Sequence, residues 1–366
     1  MRIIAGGIIA SLIIGLPAAS LASTLTVAPG AYPTIQSAVN AAHTGDTVRI
    51  MPLAGGVPRC ESITVSTSKL TLDGRNGVVL DGTGLSANGI TILGDHVTVK
   101  GMTVRNFSDF GYSGIEVDGD RAEINSSAIS LNRFGVTVNS TNAHIAGSTI
   151  SQNLASGIFL AGSGALVEQN TVKQNENAAI NVIAGGNSIC NNEVANNLSD
   201  GIYVSTGSSA FGDPAPNATK IESNNVHDNP SNGIGLDFSD SVTVRYNTVS
   251  HNGTGIRLLD FSCNCSITTN VVTCSTGGGF DYYRSGIILE DLSFVSGCAV
   301  TFNAVLGNAW DGIEVGAFNT DNAITDNIGL GNCHFDAEDS NYDTLQVYNT
   351  WKRDLFLTSN PAGLGR

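Results

Sequence analysis

The sequence predicts an all-β fold, a parallel β-helix built from coils of about 22 residues each. The first observation behind this prediction is a Gly-Ile or Gly-Val step that recurs at a nearly constant spacing along most of the chain. A fixed period of about 20 to 50 residues is typical of repeat architectures. The steps begin at Gly114, Gly135, Gly157, Gly201, Gly233, Gly255, Gly286 and Gly312, and Ala179 fills the slot between Gly157 and Gly201.

The second observation is a pair of asparagine columns in the same period, each three residues after an apolar residue. One column contains Asn170, Asn192, Asn224, Asn247, Asn270, Asn303 and Asn327. The other contains Asn132, Asn153, Asn175, Asn197, Asn229, Asn252 and Asn308. Asparagine and glycine accept the left-handed backbone of turns at low cost, and stacked asparagines can bond to the coils above and below. Each coil is therefore predicted to hold three short strands, every one pairing in parallel with its equivalent one coil away.

The N-terminal segment 1–22 has the features of a secretory signal peptide. Arg2 precedes an apolar run from Ile3 to Leu16, and small residues precede Ser23. The run is short for a membrane span, and an uncleaved anchor is the alternative. We therefore expect a secreted, periplasmic or cell-surface protein with no stable membrane span once this segment has been removed.

The rest of the chain is predicted to be one solenoid domain with a cap at each end. Thr34 can cap a short helix whose apolar face includes Ile35 and Val39, and such a helix would close the first coil. The predicted segments are an N-terminal cap (23–46), the β-helix (47–333) and a C-terminal capping tail (334–366).

The net charge of the chain limits the classes of partner that it is expected to bind. It contains 17 Lys and Arg against 32 Asp and Glu, which gives a formal net charge of −15. Nucleic-acid-binding proteins present basic stripes, so this balance argues against nucleic acid, and it also disfavours an anionic membrane surface.

Seven cysteines in an exported chain permit disulfides, and the odd count leaves at least one thiol unpaired. Cys265 and Cys298 occupy one interior column in neighbouring coils, about 5 Å apart, which predicts a disulfide between them. A bridge between Cys263 and Cys274 is a second expectation. Metal binding by the Cys263, Cys265 and Cys274 group is the alternative, but no matching second pair of Cys or His is present.

One face of the solenoid is the natural place for a binding groove. In the Gly-Ile-x-Val strand the residue x is expected to point outward, and this column reads Glu116, Thr137, Phe159, Asn181, Tyr203, Gly235, Arg257, Ile288 and Glu314. Two long insertions, Ser205 to Ala218 and Ser275 to Arg284, flank the same strand. Long loops on one face of a repeat usually mark its binding face.

The C-terminal half of this predicted groove is rich in polar residues. The candidates for catalysis are Asp237, Arg257, Asp260 and Glu290. The candidates for substrate binding are Asp200, Tyr203, Tyr282, Arg284, Asp311 and Glu314.

Carboxylates one or two coils apart suit three chemistries. They can act as acid and base on a glycosidic bond, bind Ca²⁺, or, with Arg257 neutralising a uronate, support β-elimination or epimerisation. The alternative is that these residues are merely solvated and keep the protein soluble.

A second constellation lies two residues after the inward valine, directly before the second asparagine column. Asp228, His251 and Cys274 hold equivalent positions in consecutive coils, about 5 Å apart. They could form an activated nucleophile, or His251 and Asp228 could serve as an acid–base or ligand pair. The other histidines, His334 included, form no cluster visible in the sequence.

Two segments resemble a known superfamily. TIQSAVNAAHTGDTVRI (34–50) resembles the cap and first strand of exported bacterial proteins of the right-handed parallel β-helix superfamily, the pectate-lyase-like group, and NTWKRDLFLTSNPAG (349–363) resembles their C-terminal ending. This resemblance implies a single-stranded right-handed parallel β-helix. It leaves the activity open, because the superfamily includes polysaccharide lyases, polygalacturonases, uronan epimerases, phage tailspikes, NosD-type periplasmic accessory proteins and non-catalytic surface proteins.

Some of the superfamily's catalytic motifs are missing from the chain. No stretch matches the Asp-Pro-His-Glu motif of the epimerases, and neither the aspartate sets of polygalacturonases nor the Lys and Arg pattern of pectate lyases is recognisable. Our leading hypothesis is an exported protein that binds a polysaccharide or cell-surface glycan and acts as a lyase, hydrolase or epimerase. The alternatives are a non-catalytic surface protein or adhesin, and a NosD-type accessory protein.

Overall fold

The predicted parallel β-helix is confirmed by the structure, a computed structural model that describes residues 22–206, 218–277, 284–341 and 349–365. These residues form about 13 turns of the solenoid, and every strand pairing between coils is parallel. One helix, α1 (Ile35–Ala41), precedes the repeat, and a 3₁₀ turn covers Ala54–Gly56.

The strands are short and follow one another in a fixed order. In chain order they are β1 (Thr24–Val27), β2 (Thr47–Ile50), β3 (Ile63–Val65), β4 (Thr71–Asp81), β5 (Ile90–Ile92), β6 (Thr98–Arg105), β7 (Ser113–Val117), β8 (Glu123–Asn125), β9 (Ala128–Ser130), β10 (Phe134–Val138), β11 (His144–Ala146), β12 (Thr149–Ser151), β13 (Ile158–Leu160), β14 (Leu166–Glu168), β15 (Thr171–Lys173), β16 (Ile180–Val182), β17 (Ser188–Cys190), β18 (Glu193–Ala195) and β19 (Ile202–Ser205). They continue as β20 (Lys220–Glu222), β21 (Asn225–His227), β22 (Asn232–Asp237), β23 (Thr243–Arg245), β24 (Thr248–Ser250), β25 (Thr254–Leu259), β26 (Ser266–Thr268), β27 (Val271–Thr273), β28 (Ile287–Leu289), β29 (Ala299–Thr301), β30 (Ala304–Leu306), β31 (Ile313–Val315), β32 (Ala323–Thr325), β33 (Ile328–Leu330), β34 (Ala337–Asp339), β35 (Thr350–Lys352), β36 (Leu355–Phe356) and β37 (Ser359–Asn360).

Each regular coil contributes three strands to two sheets, as predicted. Sheet A has 24 strands and takes two from every regular coil, such as β23 and β24. Sheet B has 13 strands and takes the one at the Gly-Ile step, such as β22, β25 and β28. The register of sheet B keeps the glycine steps aligned, since Ile234 pairs with Ile256 and Ile256 pairs with Ile287.

The core is a continuous column of aliphatic side chains inside the coils. In the coil of β23 to β25, Val244, Val249, Ile256 and Leu258 are fully buried. Full burial of one such side chain contributes about 1.5–3 kcal/mol. Glycine is needed at position 255 because a Cβ there would collide with the carbonyl oxygen of Gly286 in the next coil.

The asparagine columns are hydrogen-bonded ladders. The Oδ1 of Asn247 accepts bonds from the backbone N (2.9 Å) and Nδ2 (3.0 Å) of Asn224, and its Nδ2 donates to Ile221 O (2.8 Å) and to Asn270 Oδ1 (3.0 Å). The preceding residue, Tyr246, has the left-handed φ of 58° that the turn needs. Every polar atom of the buried amide is therefore satisfied, which removes the cost of burying a turn.

Helix α1 covers the first coil as expected. Thr34 and Ser37 form a capping box, in which Thr34 Oγ1 accepts a bond from Ser37 N (3.1 Å) and Ser37 Oγ accepts one from Thr34 N (3.3 Å). Ile35 and Val39 are buried, and the helix packs against β1, β2 and β3. This packing closes the open end of the core.

The C-terminal boundary predicted at 333 does not coincide with the end of the coil pairing. Strands β34 to β37 continue both sheets in register, so the last paired strand ends at Asn360. The signal peptide predicted over 1–22 lies outside the described residues except for Ala22. No helix among the described residues is long and apolar enough to cross a membrane.

The predicted disulfides are not present, because none of the seven cysteines is bonded to another. Cys265 and Cys298 do share an interior column, but their side chains act as rungs of a polar ladder. The backbone N of Cys265 donates to Cys298 Sγ (3.3 Å), the N of Cys298 donates to Asn322 Oδ1 (2.9 Å), and the N of Asn322 donates to Asn349 Oδ1 (3.1 Å). The two thiols lie against backbone oxygens, with Cys265 Sγ 3.5 Å from Ser239 O and Cys298 Sγ 3.5 Å from Ser296 O.

The second pair of cysteines is separated by two strands of the same coil. Cys263 Sγ lies 3.5 Å from Asp240 Oδ1 before β26, whereas Cys274 is exposed after β27. Their separation within the coil explains why no bridge forms.

Asp354, at one end of an asparagine ladder, is expected to make the stability of the fold depend on pH. Asp354 occupies the ladder position after Asn327, whose N and Nδ2 donate to Asp354 Oδ1 at 2.7 and 2.9 Å. Burial raises the pKa of Asp354 to about 6, although hydrogen bonds from Asn327 and Lys352 oppose the rise. The folded state thus holds a proton that the unfolded state has lost between about pH 4 and pH 6, so stability falls as the pH rises through this window.

We expect Asp354→Asn to remove this loss. The variant should be about 1 kcal/mol more stable than wild type at pH 7, a figure reduced because the carboxyl is partly exposed, and about equally stable at pH 4. Urea unfolding at both pH values measures the difference. Asp321→Asn, which makes the same chemical change at an exposed position, is the control. Equal stability of wild type and Asp354→Asn at both pH values would contradict the prediction.

Candidate functional site

The predicted outward column exists as a register column of sheet B. Tyr203, Gly235, Arg257, Ile288 and Glu314 pair in sequence across β19, β22, β25, β28 and β31. The expectation that the whole column faces solvent is wrong at its centre, where Arg257 and Ile288 are buried at 8% and 0% exposure. The middle of this face is therefore covered, and its accessible polar groups lie to either side.

Arg257 is occupied by an ion pair. Its Nε lies 3.0 Å from Glu290 Oε2 and its Nη2 lies 2.5 Å from Glu290 Oε1. The two side chains are only 10% and 14% exposed. A bidentate pair of this kind is strong and geometrically specific, but its desolvation cost means that removing one partner is destabilising. The sequence suggested that Arg257 neutralises the carboxylate of a uronate substrate. In the structure its guanidinium is instead paired with Glu290.

Tyr203 and Asp237 form the second contact on this face. The Tyr203 hydroxyl donates a hydrogen bond to Asp237 Oδ2, while Asp237 Oδ1 is buried and has no hydrogen-bond partner. Burial raises the pKa of Asp237, and the negative charges of Asp260 and Glu290 add to the rise. The Tyr203 hydroxyl and Arg257 oppose it. Burial, followed by the bond to Asp237, also raises the pKa of Tyr203.

Tyr203, Arg257, Asp260 and Glu290 all lie close enough to Asp237 to change its pKa. Asp237 pairs with Leu259, and Glu290 directly follows Leu289 in the next strand, so Asp237 and Glu290 share a column two coils apart, about 10 Å. Asp260 is exposed at the corner after β25. Asp237 is consequently a carboxyl group suited to hold and release a proton near its raised pKa, which is the property required of a general acid or base.

Of the residues predicted to bind substrate, Asp200 is buried in a backbone hydrogen bond and Arg284 is exposed. Asp200 is nearly buried, its Oδ1 accepts a bond from Asn232 N (2.8 Å), and burial raises its pKa. Arg284 is exposed beside Gly277. Tyr282 and most of the two predicted flanking loops lie outside the described residues.

Asp311 and Glu314 belong to a separate cluster farther along the same face. Glu314 lies two coils beyond Arg257, and it pairs in register with Glu338 of the next coil. Burial raises the pKa of both Asp311 and Glu314, and for Asp311 the neighbouring Glu338 contributes. His334 Nδ1 lies 3.0 Å from Asp311 Oδ1.

Sequence reasoning missed His334 and Glu338 because their coil lacks the glycine step. The register places Asp336 directly before Ala337, in the position that Gly312 occupies one coil earlier. The separation of Asp336 from Gly312 is close to one regular period, so accepting an aspartate in the glycine slot would have extended the repeat.

The column of Asp228, His251 and Cys274 does not form a catalytic set. Asp228 Oδ2 lies 2.6 Å from Nδ1 of His227, and Nε2 of His227 lies 2.5 Å from Glu193 Oε1. Asp228, His251 and Cys274 stand at left-handed corners, where side chains point into solvent. The predicted pairing of His251 with Asp228 is therefore wrong, since the aspartate turns back to its own neighbour.

An exposed row of phenylalanines borders the end of sheet B. It contains Phe238, Phe261, Phe294 and Phe318, with ring centroids 5.9, 5.4 and 5.9 Å apart. The last three rings are half-exposed. The row was missed because the distance from the glycine step to the ring varies between coils, but Phe238 and Phe261 directly follow Asp237 and Asp260.

Possible metal ligands gather at one place. Asp311, His334 and Glu338 offer three ligand atoms within 4.8 Å of one another. Within the ranges that the structure describes, Asp237, Asp260 and Glu290 form no comparable group, so Ca²⁺ binding, one of the three chemistries considered for the groove carboxylates, has no support at these residues.

The comparisons with known proteins agree on the architecture. The family model described as a right handed beta helix region matches residues 60–212 and 189–329. Among solved structures, the mannuronan C-5 epimerase AlgE6 A-module of Azotobacter vinelandii is 18% identical with a TM-score of 0.68, covering 80% of this chain and 88% of that one. No curated protein sequence matches the chain.

Two other solved structures extend the comparison. The alginate lyase AlyF-OU02 is 13% identical with a TM-score of 0.55, covering 84% of this chain and 79% of that one. The Dettilon tailspike protein is 16% identical with a TM-score of 0.54, covering 84% of this chain and 62% of that one. Identities this low show a shared fold and leave the chemistry to the site itself.

Proposed function

The chain belongs to the right-handed β-helix family, and from this premise we propose that it is an exported protein that binds a polysaccharide along the outward face of sheet B and acts on it at Asp237. The observation that carries the proposal is the environment of Asp237. This carboxyl group has a raised pKa, one oxygen bonded to Tyr203 and the other without a partner, beside the buried pair of Arg257 and Glu290.

An extended glycan suits this face for two reasons. Sheet B is a long, regular surface, and the polar groups from Asp237 to Glu338 follow it over several coils. The phenylalanine row runs in the same direction along its edge, and exposed aromatic rings offer apolar surface to sugar rings. A chain of sugars could contact both at once.

Uronans are the first substrate class to test. The similar structures include a mannuronan epimerase and an alginate lyase, so the fold accommodates chemistry on acidic polysaccharides. The acidic surface of this chain requires a local cation for such a substrate, and the exposed Arg284 on the coil after Arg257 is the side chain placed to provide it. Arg257 contributes indirectly, by holding Glu290 and lowering the pKa of Asp237.

The proposed chemistry is acid–base catalysis. In epimerisation a base removes the C5 proton of a uronate and an acid returns one to the opposite face. In β-elimination a base takes the C5 proton, the C4–O bond breaks to give an unsaturated sugar, and the departing oxygen takes up a proton from an acid. Asp237 is the candidate for proton transfer in either case, and Tyr203 is its hydrogen-bond partner. Hydrolysis would use the same carboxyl as the acid that protonates the glycosidic oxygen.

Product analysis on a panel of glycans tests the proposal. The purified protein is incubated with several uronans and several neutral polysaccharides, and unsaturated ends, new reducing ends and solvent deuterium at C5 are measured. Conversion of at least one uronan supports the proposal as stated, whereas conversion of neutral glycans alone contradicts the substrate class. Retention on a glycan column without any product would support the non-catalytic alternative instead.

A further inference from the structure

We propose that Asp311, His334 and Glu338 bind a divalent transition-metal ion on the outward face of sheet B. His334 Nδ1 lies 3.0 Å from Asp311 Oδ1 and 3.8 Å from Glu338 Oε2, and the three candidate ligand atoms lie within 4.8 Å of one another. Asp311 comes from the coil of β31, and His334 and Glu338 come from the next one, so the register of the solenoid holds them together.

The unsatisfied side-chain oxygen of Asp311 is an independent observation that indicates a ligand. Its side chain is fully buried, yet its Oδ2 has no hydrogen-bond partner. Glu338 offers a carboxylate oxygen within 4.8 Å of the Asp311 ligand atom, and when ionised it also lacks a proton to donate. A buried carboxylate oxygen left in this way is costly unless a cation or proton satisfies it.

The charges around Asp311 also favour a bound cation. Glu314 adds a third carboxylate beside Glu338, with its Oε2 accepting a bond from Ser285 Oγ (2.6 Å). Among the described residues, the ion pairs of Asp311 and Glu338 involve His334 alone. Three carboxylates on adjoining coils with one imidazole for compensation leave room for a positive ion.

The surroundings of the cluster hold the ligands in position. Phe335 N donates to Asp311 Oδ1 (2.7 Å), and Asn360 Nδ2 donates to Glu338 Oε1 (3.0 Å). The His334 ring stacks on Trp310 at 4.3 Å between centroids and an angle of 21°. Hydrogen bonds to ligating carboxylates and fixed imidazole orientation are typical of metal sites, where they tune affinity.

The donor set selects the kind of ion. One imidazole nitrogen with carboxylate oxygens suits Zn²⁺ or Mn²⁺, whereas Ca²⁺ normally takes six to eight oxygen ligands. Three protein ligands also leave coordination positions for water or for an oxygen of another molecule.

Metal binding is measured on the full-length protein, without an affinity tag, after chelator treatment. Equilibrium dialysis against Zn²⁺, Mn²⁺ or Ca²⁺, followed by elemental analysis, should show a single Zn²⁺ or Mn²⁺ ion per chain and no comparable Ca²⁺ binding. Glu338→Gln and His334→Gln should each weaken binding at least about 10-fold. The matched controls Glu176→Gln and His96→Gln change exposed residues elsewhere and should bind as wild type does.

Trp310 provides a local readout. An ion at His334 should change the fluorescence of Trp310, and the change should disappear in Trp310→Phe, which leaves Trp351 as the remaining tryptophan. Circular dichroism confirms that each variant is folded. The proposal is overturned if wild type binds neither ion, if it prefers Ca²⁺, or if the folded Glu338→Gln and His334→Gln variants retain the ion. None of these outcomes depends on the identity of the polysaccharide.

Discussion

Asp237→Asn is expected to lower turnover of the converted polysaccharide by about 100- to 10,000-fold while leaving the protein folded. Asparagine has the same shape and can still accept the hydrogen bond from Tyr203, but it cannot take up or release a proton. Initial rates of product formation under saturating substrate measure the effect. Glu176→Gln, an exposed carboxylate on another part of the coil surface, is the control and should retain full activity.

The pH dependence distinguishes the two roles of Asp237. Its pKa is raised from the usual value for aspartate, so the limb of the pH–rate profile that it controls should lie above about pH 4. Activity should fall as the pH rises through this limb if Asp237 acts as the acid, and should increase if it acts as the base. A full-rate Asp237→Asn variant with an unchanged profile would exclude Asp237 from the chemistry.

Asn247→Asp is expected to destabilise the β-helix by about 3–5 kcal/mol. The buried amide of Asn247 makes four ladder hydrogen bonds, and two of them require its Nδ2 as donor. An aspartate would place a carboxylate against Ile221 O and Asn270 Oδ1, which are both acceptors. Its desolvated charge would face two oxygens without a counter-ion.

Thermal unfolding followed by circular dichroism measures this effect, with an expected decrease of the melting temperature on the order of 10 °C. Asn196→Asp makes the same chemical change at an exposed left-handed corner, one residue before ladder Asn197, and should shift stability by less than about 0.5 kcal/mol. Similar losses in both variants would show that the ladder is not the source of the stability.

The repeat was predictable because one residue type serves one geometric need in most coils. Gly255 must lack a Cβ to admit the next coil, and Asn247 must both donate and accept to complete its ladder. These local requirements recur with the period, so the sequence displays them. The pattern weakens where another residue meets the need, as Asp354 does at the end of one ladder and Asp336 does in the slot of Gly312.

The candidate site was less predictable because its contacts cross coils. The register of Asp237, Arg257 and Glu290 follows from the period, but the turn of Arg257 toward Glu290, and the burial that results, depend on how side chains pack over the sheet. The role of Cys298 also could not be predicted from the period, because its sulfur accepts a backbone hydrogen bond in place of an amide oxygen.

A crystal structure of the Asp237→Asn variant with a uronan oligosaccharide tests the central claim most directly, because the slowed variant keeps its ligand intact. The account predicts a sugar chain along the outward face of sheet B, with one residue in hydrogen-bond contact with the side chain at position 237 and with Tyr203. An oligosaccharide bound only to sheet A, or none bound at saturating concentration, would contradict it.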